Sequence, residues 1–252
     1  MRVYRGLKRY LFLRMKYNVM DLFSRSGEVS ATPPENPEYI GSIDQDGLIH
    51  CADRYRNLFD PVNLYKGGVY LVRKKFSIQI VRADKRLLIE KNYNGNTFSF
   101  YNELSILGKL SDLDFIPRVA AVSFEEKTVY MEFLQGAVLR EKLAAMGSGI
   151  RDTDLDGEKL SFEQKAASAR TYLNDVLTQP CISRIRECYE TIHARKIMVH
   201  DIKYGNIILN KKGPYLIDFE TSICFPELPG FLFKKMAEMD NQKINTLFGA
   251  GS

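Results

Sequence analysis

The residues with the most chemical content lie between Val199 and Glu220: the run Val199-His-Asp-Ile-Lys-Tyr-Gly-Asn-Ile-Ile-Leu209, then Tyr215-Leu-Ile-Asp-Phe-Glu220. Asp201, Lys203 and Asn206 put a carboxylate, a cation and a neutral oxygen donor on one short loop that leads into an apolar strand. Asp218 follows the next strand, where its carboxylate would meet the same metal as the Asn206 amide. Moving a phosphoryl group from a triphosphate to a hydroxyl needs these parts: a carboxylate beside the acceptor, a cation near the γ-phosphate, and hard oxygen ligands for magnesium. Asp201 is therefore the candidate base, Lys203 the candidate charge stabiliser, and Asn206 and Asp218 the candidate metal ligands. The competing explanation, a chance Asp/Asn loop before a hairpin, accounts less well for the combined pattern.

The elements around this run must bring it together. From Gly67-Gly68 onward, β-branched and aromatic runs predict strands at Val69–Val72, Ser77–Val81 and Leu87–Ile89, the last running into Glu90 and Lys91. Ala83-Asp84-Lys85-Arg86 makes the intervening turn. Helical spacing takes over from Phe98 to Leu110, and Arg118–Val122 and Thr128–Phe133 read as further strands. The remainder is mainly helical (Leu139–Met146, Phe162–Leu177, Ile182–Ala194), with short strands at Ile207–Leu209 and Tyr215–Ile217. Strands first and helices second predict an α+β protein. Residues 24–40 read as a loop or linker, and 41–66 give no clear pattern.

Composition bounds the rest. The 252 residues, 45% hydrophobic and 27% charged, describe an ordinary folded chain. Cys51, Cys181, Cys188 and Cys224 form no C-x-x-C pair and read as reduced thiols of a cytoplasmic protein. No apolar run is long enough to span a membrane. The net charge of +5 is concentrated early: Arg2, Arg5, Lys8, Arg9, Arg14 and Lys16 precede any acid, while Val3, Leu7, Leu11, Met15, Val19 and Phe23 recur every fourth residue. Two readings of residues 1–23 stay open: a basic amphipathic helix lying on an anionic membrane surface, or one packing its apolar stripe on the body. No nucleic-acid partner is expected.

Together, His200-Asp201 with Asn206, and Asp218-Phe219-Glu220, resemble the catalytic loop and the metal-binding Asp-Phe-Gly of the protein-kinase-like superfamily. Val199 stands where that family has a scaffold histidine, and Glu220 where it has glycine. The resemblance implies a bilobal fold: a small antiparallel-sheet N-lobe over residues 67–134, a reduced helical C-lobe over 135–252, and residues 1–66 as an extension. It makes Lys91 the lysine on the ATP phosphates, with Lys85 as fallback, and Glu103 its partner on the following helix. It also makes Tyr130-Met131-Glu132-Phe133-Leu134 the hinge, with Met131 flanking the adenine and the backbones of Glu132 and Leu134 bonding its edge. Taken singly, Lys91 or Glu103 would read as solvated surface.

The family's glycine-rich turn is missing; Arg73-Lys74-Lys75-Phe76 occupies its place. Only 32 residues follow Glu220, which resembles the bacterial lipopolysaccharide core (heptose/Kdo) kinases and small atypical kinases. The implied cofactors are ATP and Mg2+, with Mn2+ as a substitute. The implied acceptor is a hydroxyl of a membrane glycolipid, met on the inner face of the membrane. The alternatives are a small atypical Ser/Thr protein kinase and a nucleotide-binding pseudokinase scaffold.

A second pattern, Asp152-Thr-Asp154-Leu-Asp156-Gly157 with Glu163, matches a calcium loop by spacing. Lys159 stands where an aliphatic residue is usual, and Gly147-Ser-Gly149 interrupts the incoming helix. An acidic surface loop leading to a Ser161/Gln164 capping box is the preferred account. Calcium is thus expected to leave the melting temperature unchanged; a calcium-specific rise abolished by Asp152→Ala would overturn that account.

Overall fold

The computed structural model describes residues 33–34, 37–43, 49–51, 64–65, 76–83, 85–146 and 161–249. The expected helix at residues 1–23, the strand Val69–Val72, the basic turn up to Lys75 and the acidic loop from Asp152 to residue 160 lie outside these. The fold is α+β, built on antiparallel pairing. Seven strands make its largest sheet: β1 Glu38–Ile43, β2 Ile49–Cys51, β3 Leu64–Tyr65, β4 Ser77–Ala83, β5 Arg86–Asn92, β6 Val119–Ser123 and β7 Thr128–Glu132. They lie in the order β3-β2-β1-β4-β5-β7-β6. Among the described residues, only β2 and β3 pair in parallel.

Part of the segment expected as an extension, residues 1–66, pairs with the sheet. β1 to β3 fall within the segment expected as an extension, yet β1 runs antiparallel to β4, from Glu38 opposite Arg82 to Ser42 opposite Gln79. The β4 edge carries a row of unpaired backbone groups, and β1 satisfies them. Proline and glycine punctuation hid that strand in the sequence.

Helix α1 (Thr97–Lys109) lies against this sheet; the Asn96 side chain caps it by accepting from Ser99 N at 3.2 Å. Every residue from Phe100 to Gly108 is buried, so one face meets the sheet and the others meet the remaining chain. A second sheet is made of β8 (Gly136–Val138), β10 (Ile207–Asn210) and β11 (Gly213–Leu216), with β10 in the middle. Strands β9 (Ile197–Met198) and β12 (Ile223–Cys224) form a two-stranded pair. Neither β8, β9 nor β12 was expected, because two- and three-residue strands carry no period to read.

Four helices complete the described part: α2 Leu139–Ala145, α3 Phe162–Val176, α4 Gln179–Ala194 and α5 Gly230–Phe248. The Ser161/Gln164 capping box before α3 is present in both directions, at 3.2 and 2.7 Å. α4 starts at Gln179, ahead of the expected Ile182, because Pro180 sits in the first turn, where its missing N–H leaves no bond unmade. The main apolar core runs through Tyr93, Leu104, Ile185, Ile192, Phe219 and Leu247, with smaller clusters around Val81 and Tyr130 and around Met198 and Phe233. No described helix is long and apolar enough to cross a membrane.

Gly136 is the tightest approach between β8 and β10: a Cβ there would sit 2.4 Å from the Leu209 carbonyl oxygen. Gly136→Ala is therefore expected to push β8 off β10 and to cost about 1–3 kcal/mol, read as a lower melting temperature than wild type.

Candidate active site

The site assembles from two clusters that one hairpin joins. The first centres on Lys91 in β5, only 3% exposed. Its Nζ lies 2.6 Å from Glu103 Oε2 on α1 and 2.8 Å from Asp218 Oδ1 beyond β11. The ammonium also sits 4.7 Å from the Phe76 ring centroid. Burial by itself would lower the Lys91 pKa, but the Asp218 and Glu103 carboxylates outweigh it and raise the value, so the lysine stays charged. Glu103 serves three partners: Lys91, the Tyr93 hydroxyl, which donates to the same Oε2, and Phe219 N, which donates to Oε1 at 3.3 Å. Burial first, and then the Glu103 charge, push the Tyr93 hydroxyl pKa well up, so it remains a donor. Lys85, the fallback lysine, is exposed in the β4–β5 turn at φ 65°.

The second cluster is the loop before β10. Asp201 Oδ2 accepts from Lys203 Nζ at 2.6 Å and from Asn206 Nδ2 at 3.2 Å. Asn206 Nδ2 also donates to the Asp201 carbonyl at 2.8 Å. The amide nitrogen is thus engaged on Asp201, which leaves its oxygen, Oδ1, as the donor atom for a cation. The clusters meet where β10 and β11 pair: Ile207 faces Leu216, and Ile217 N donates to Asn206 O at 3.0 Å. Asn206 and Asp218 therefore leave the ends of adjacent antiparallel strands. Two oxygen ligands, with phosphate and water completing the shell, is the ligand set magnesium takes. Among the described residues, no three His, Cys, Asp or Glu side chains gather as a self-contained metal site.

Two backbone positions beside these groups are strained. His200 (φ 62°) and Asp218 (φ 67°) both occupy the left-handed region, a cost of roughly 1–2 kcal/mol each for a residue with a Cβ. Each is over-determined by hydrogen bonds. Asp218 is fastened to Lys91. The loop at His200 rests on Asp240 of α5, whose carboxylate accepts from Val199 N at 2.8 Å and His200 N at 3.3 Å. The His193 Nε2 lies 3.1 Å from Asp240 Oδ2, and an ionised carboxylate only accepts, so that nitrogen carries the hydrogen. Burial would raise the Asp240 pKa, but His193 and the Val199 N–H outweigh it and hold the value below 3.8.

Asp240 and His193 were missed as site residues, although Asp240 was legible: it stands among Phe233, Ala237 and Ile244 on the apolar face of the terminal helix. Asn102 was missed too. Its Nδ2 donates to the carbonyls of Glu220 and Ser222, both at 2.8 Å, tying α1 to the segment after Asp218.

The expected hinge residues end β7, apart from both clusters in the hydrogen-bond network. Met131 is buried, paired across the sheet with Ile89 and Val119. The Glu132 N–H already donates to Arg118 O at 2.9 Å, so it is not open to a ligand edge. Leu134 makes no hydrogen bond among the described residues, which leaves its backbone open.

The chain matches no protein-family model and no curated protein sequence.

Removing Lys91 would leave two carboxylates, one of them fully buried, without their cation. Lys91→Met is expected to destabilise the fold by on the order of 3 kcal/mol, read by urea denaturation. Asp240 has a lowered folded pKa, so its contribution is present above the ordinary carboxylate range and is lost as pH falls through that lower value. In acid titrations followed by circular dichroism, Asp240→Asn should flatten the stability loss below pH ~4 while lowering stability at neutral pH.

Proposed function

We propose that the chain is an ATP- and magnesium-dependent phosphotransferase with a protein-kinase-like bilobal arrangement, transferring a γ-phosphoryl group to a hydroxyl. The observation that carries this reading is the Lys91–Glu103–Asp218 chain of contacts, which joins β5, α1 and the end of β11 beside the Asp201–Asn206 loop. A surface lysine needs no such partners; a lysine that positions phosphates does.

On this reading Lys91, oriented by Glu103, neutralises the α- and β-phosphates. Asn206 Oδ1 and the Asp218 carboxylate would hold the magnesium, which when bound would supply positive charge against the phosphates. Asp201 accepts the acceptor's hydroxyl proton as that oxygen bonds to the γ-phosphorus and the bond from the γ-phosphorus to the β-phosphate oxygen breaks, with ADP leaving. Lys203, 2.6 Å from Asp201, steadies the charge of the transferring group and holds the Asp201 carboxylate in place until the acceptor arrives. Most of the catalysis is positioning and electrostatics, which suits a site whose members are locked by neighbours. The proposed acceptor is a sugar hydroxyl of a glycolipid, in a cytoplasmic enzyme working at the membrane face. Glu220 in place of glycine is the sequence feature that supports this choice over a protein acceptor.

The test is incubation with γ-labelled ATP and magnesium, alone and with glycolipid or protein acceptors. Label should pass to the glycolipid, and Asp201→Asn and Asp218→Asn should each lower the rate by about 10^3-fold or more. Label on protein would replace the acceptor. No transfer, with ATP still bound, would leave a nucleotide-binding scaffold and end the enzymatic reading.

A further inference from the structure

The outer face of α5 is at odds with a helix whose other face is deep in the core. Phe233, Ala237, Asp240 and Ile244 are buried, while Phe231 is 74% exposed, Met239 58% and Leu232 40%. Phe231, Lys235 and Met239 follow one another at i, i+4 and i+8, so they line one outward stripe. Single exposed apolar residues need no explanation, but three within the first ten residues of one helix do.

The charges beside them point to the partner. The first turn of α5 holds no acid, and Lys234 and Lys235 are its first charged residues. Neither makes an ion pair or hydrogen bond among the described residues. Both sit towards the positive end of the helix dipole, which adds to their potential rather than offsetting it. Glu238 is the one acid before Met239 on this stretch. Protein interfaces deplete lysine around their apolar centres. A bilayer interface does the reverse: it takes aromatic and leucine side chains into the acyl boundary and lysines onto anionic headgroups. Pro226 and Pro229 frame the loop that presents this end of the helix.

We infer that Phe231, Leu232 and Met239, with Lys234 and Lys235, form a docking surface for an anionic phospholipid bilayer. The surface belongs to the same helix as Asp240, roughly 14 Å along the axis from Phe231 at 1.5 Å per residue, and Asp240 holds the backbone next to Asp201. The inference does not depend on phosphoryl transfer.

The chain contains no tryptophan, so Phe231→Trp gives a single reporter in the full-length protein. With phosphatidylcholine vesicles containing phosphatidylglycerol, its emission should shift to the blue and be quenched by brominated acyl chains; with phosphatidylcholine alone it should stay unchanged. In sedimentation with the same vesicles, Lys234→Gln with Lys235→Gln should weaken partition about thirtyfold. Phe231→Asp with Leu232→Asp should bring it to the level of neutral vesicles, with circular dichroism unchanged. The inference fails if the Phe231→Trp protein sediments while its indole emission stays that of a ring in water, or if only deletion of residues 1–23 abolishes sedimentation. It also fails if none of the variants binds vesicles less than wild type, or if the Asp pair instead dissolves an oligomer seen by light scattering. Because no ATP or acceptor is present, these results leave the phosphotransferase reading to its own assay.

Discussion

A buried ammonium between two carboxylates governs this structure. Burial alone would lower the Lys91 pKa, and the Asp218 and Glu103 carboxylates beside it more than offset that, so the ammonium stays charged in their company. Three elements distant in sequence are therefore fastened at one atom: β5, α1 and the turn after β11. The strain at Asp218, the Tyr93 hydroxyl on Glu103 and the Phe219 N–H on the same carboxylate all follow from keeping that ammonium compensated. Such a triad adds little net stability over an apolar core, but it specifies one geometry, because any misplacement leaves a charge unpaired.

A second buried carboxylate does the same for the Asp201 loop. Asp240 arrives on α5 and takes up two backbone N–H groups that precede Asp201, with His193 of α4 completing its shell. The Asp201 loop is thus referenced to two packed helices and not to its own short strand. Lys243 adds a further tie from α5, donating to the His200 carbonyl. One face of α5 holds this loop in place, and the opposite face carries the apolar and basic residues that remain in water.

Much of this was legible because the signals are local. The strand Arg86–Asn92, helix α1, the capping box at Ser161 and the β10–β11 hairpin follow from periodicity and capping chemistry, which depend on neighbours a few residues apart. Asp201, Lys203 and Asn206 are within reach of each other because they share one loop. Strand β1 escaped notice, since its pairing with β4 depends on a partner that no window of sequence displays. The two-residue strands β9 and β12 escaped for a related reason: each exists only because the other is there.

The sequence by itself determined which residue types are available and which loops carry them: the Asp/Lys/Asn loop, the Asp after the hairpin, and a lysine-then-glutamate order upstream. Only the tertiary structure decided that Lys91 and not Lys85 is the buried one, that Glu103 faces inward, and that Asp240 bears on the Asp201 loop. It also decided which open backbone the end of β7 offers, closing the Glu132 N–H against Arg118 and leaving Leu134. The reason is the same in each case: burial and pairing are properties of contacts across the chain, and a charge acquires its role from what surrounds it.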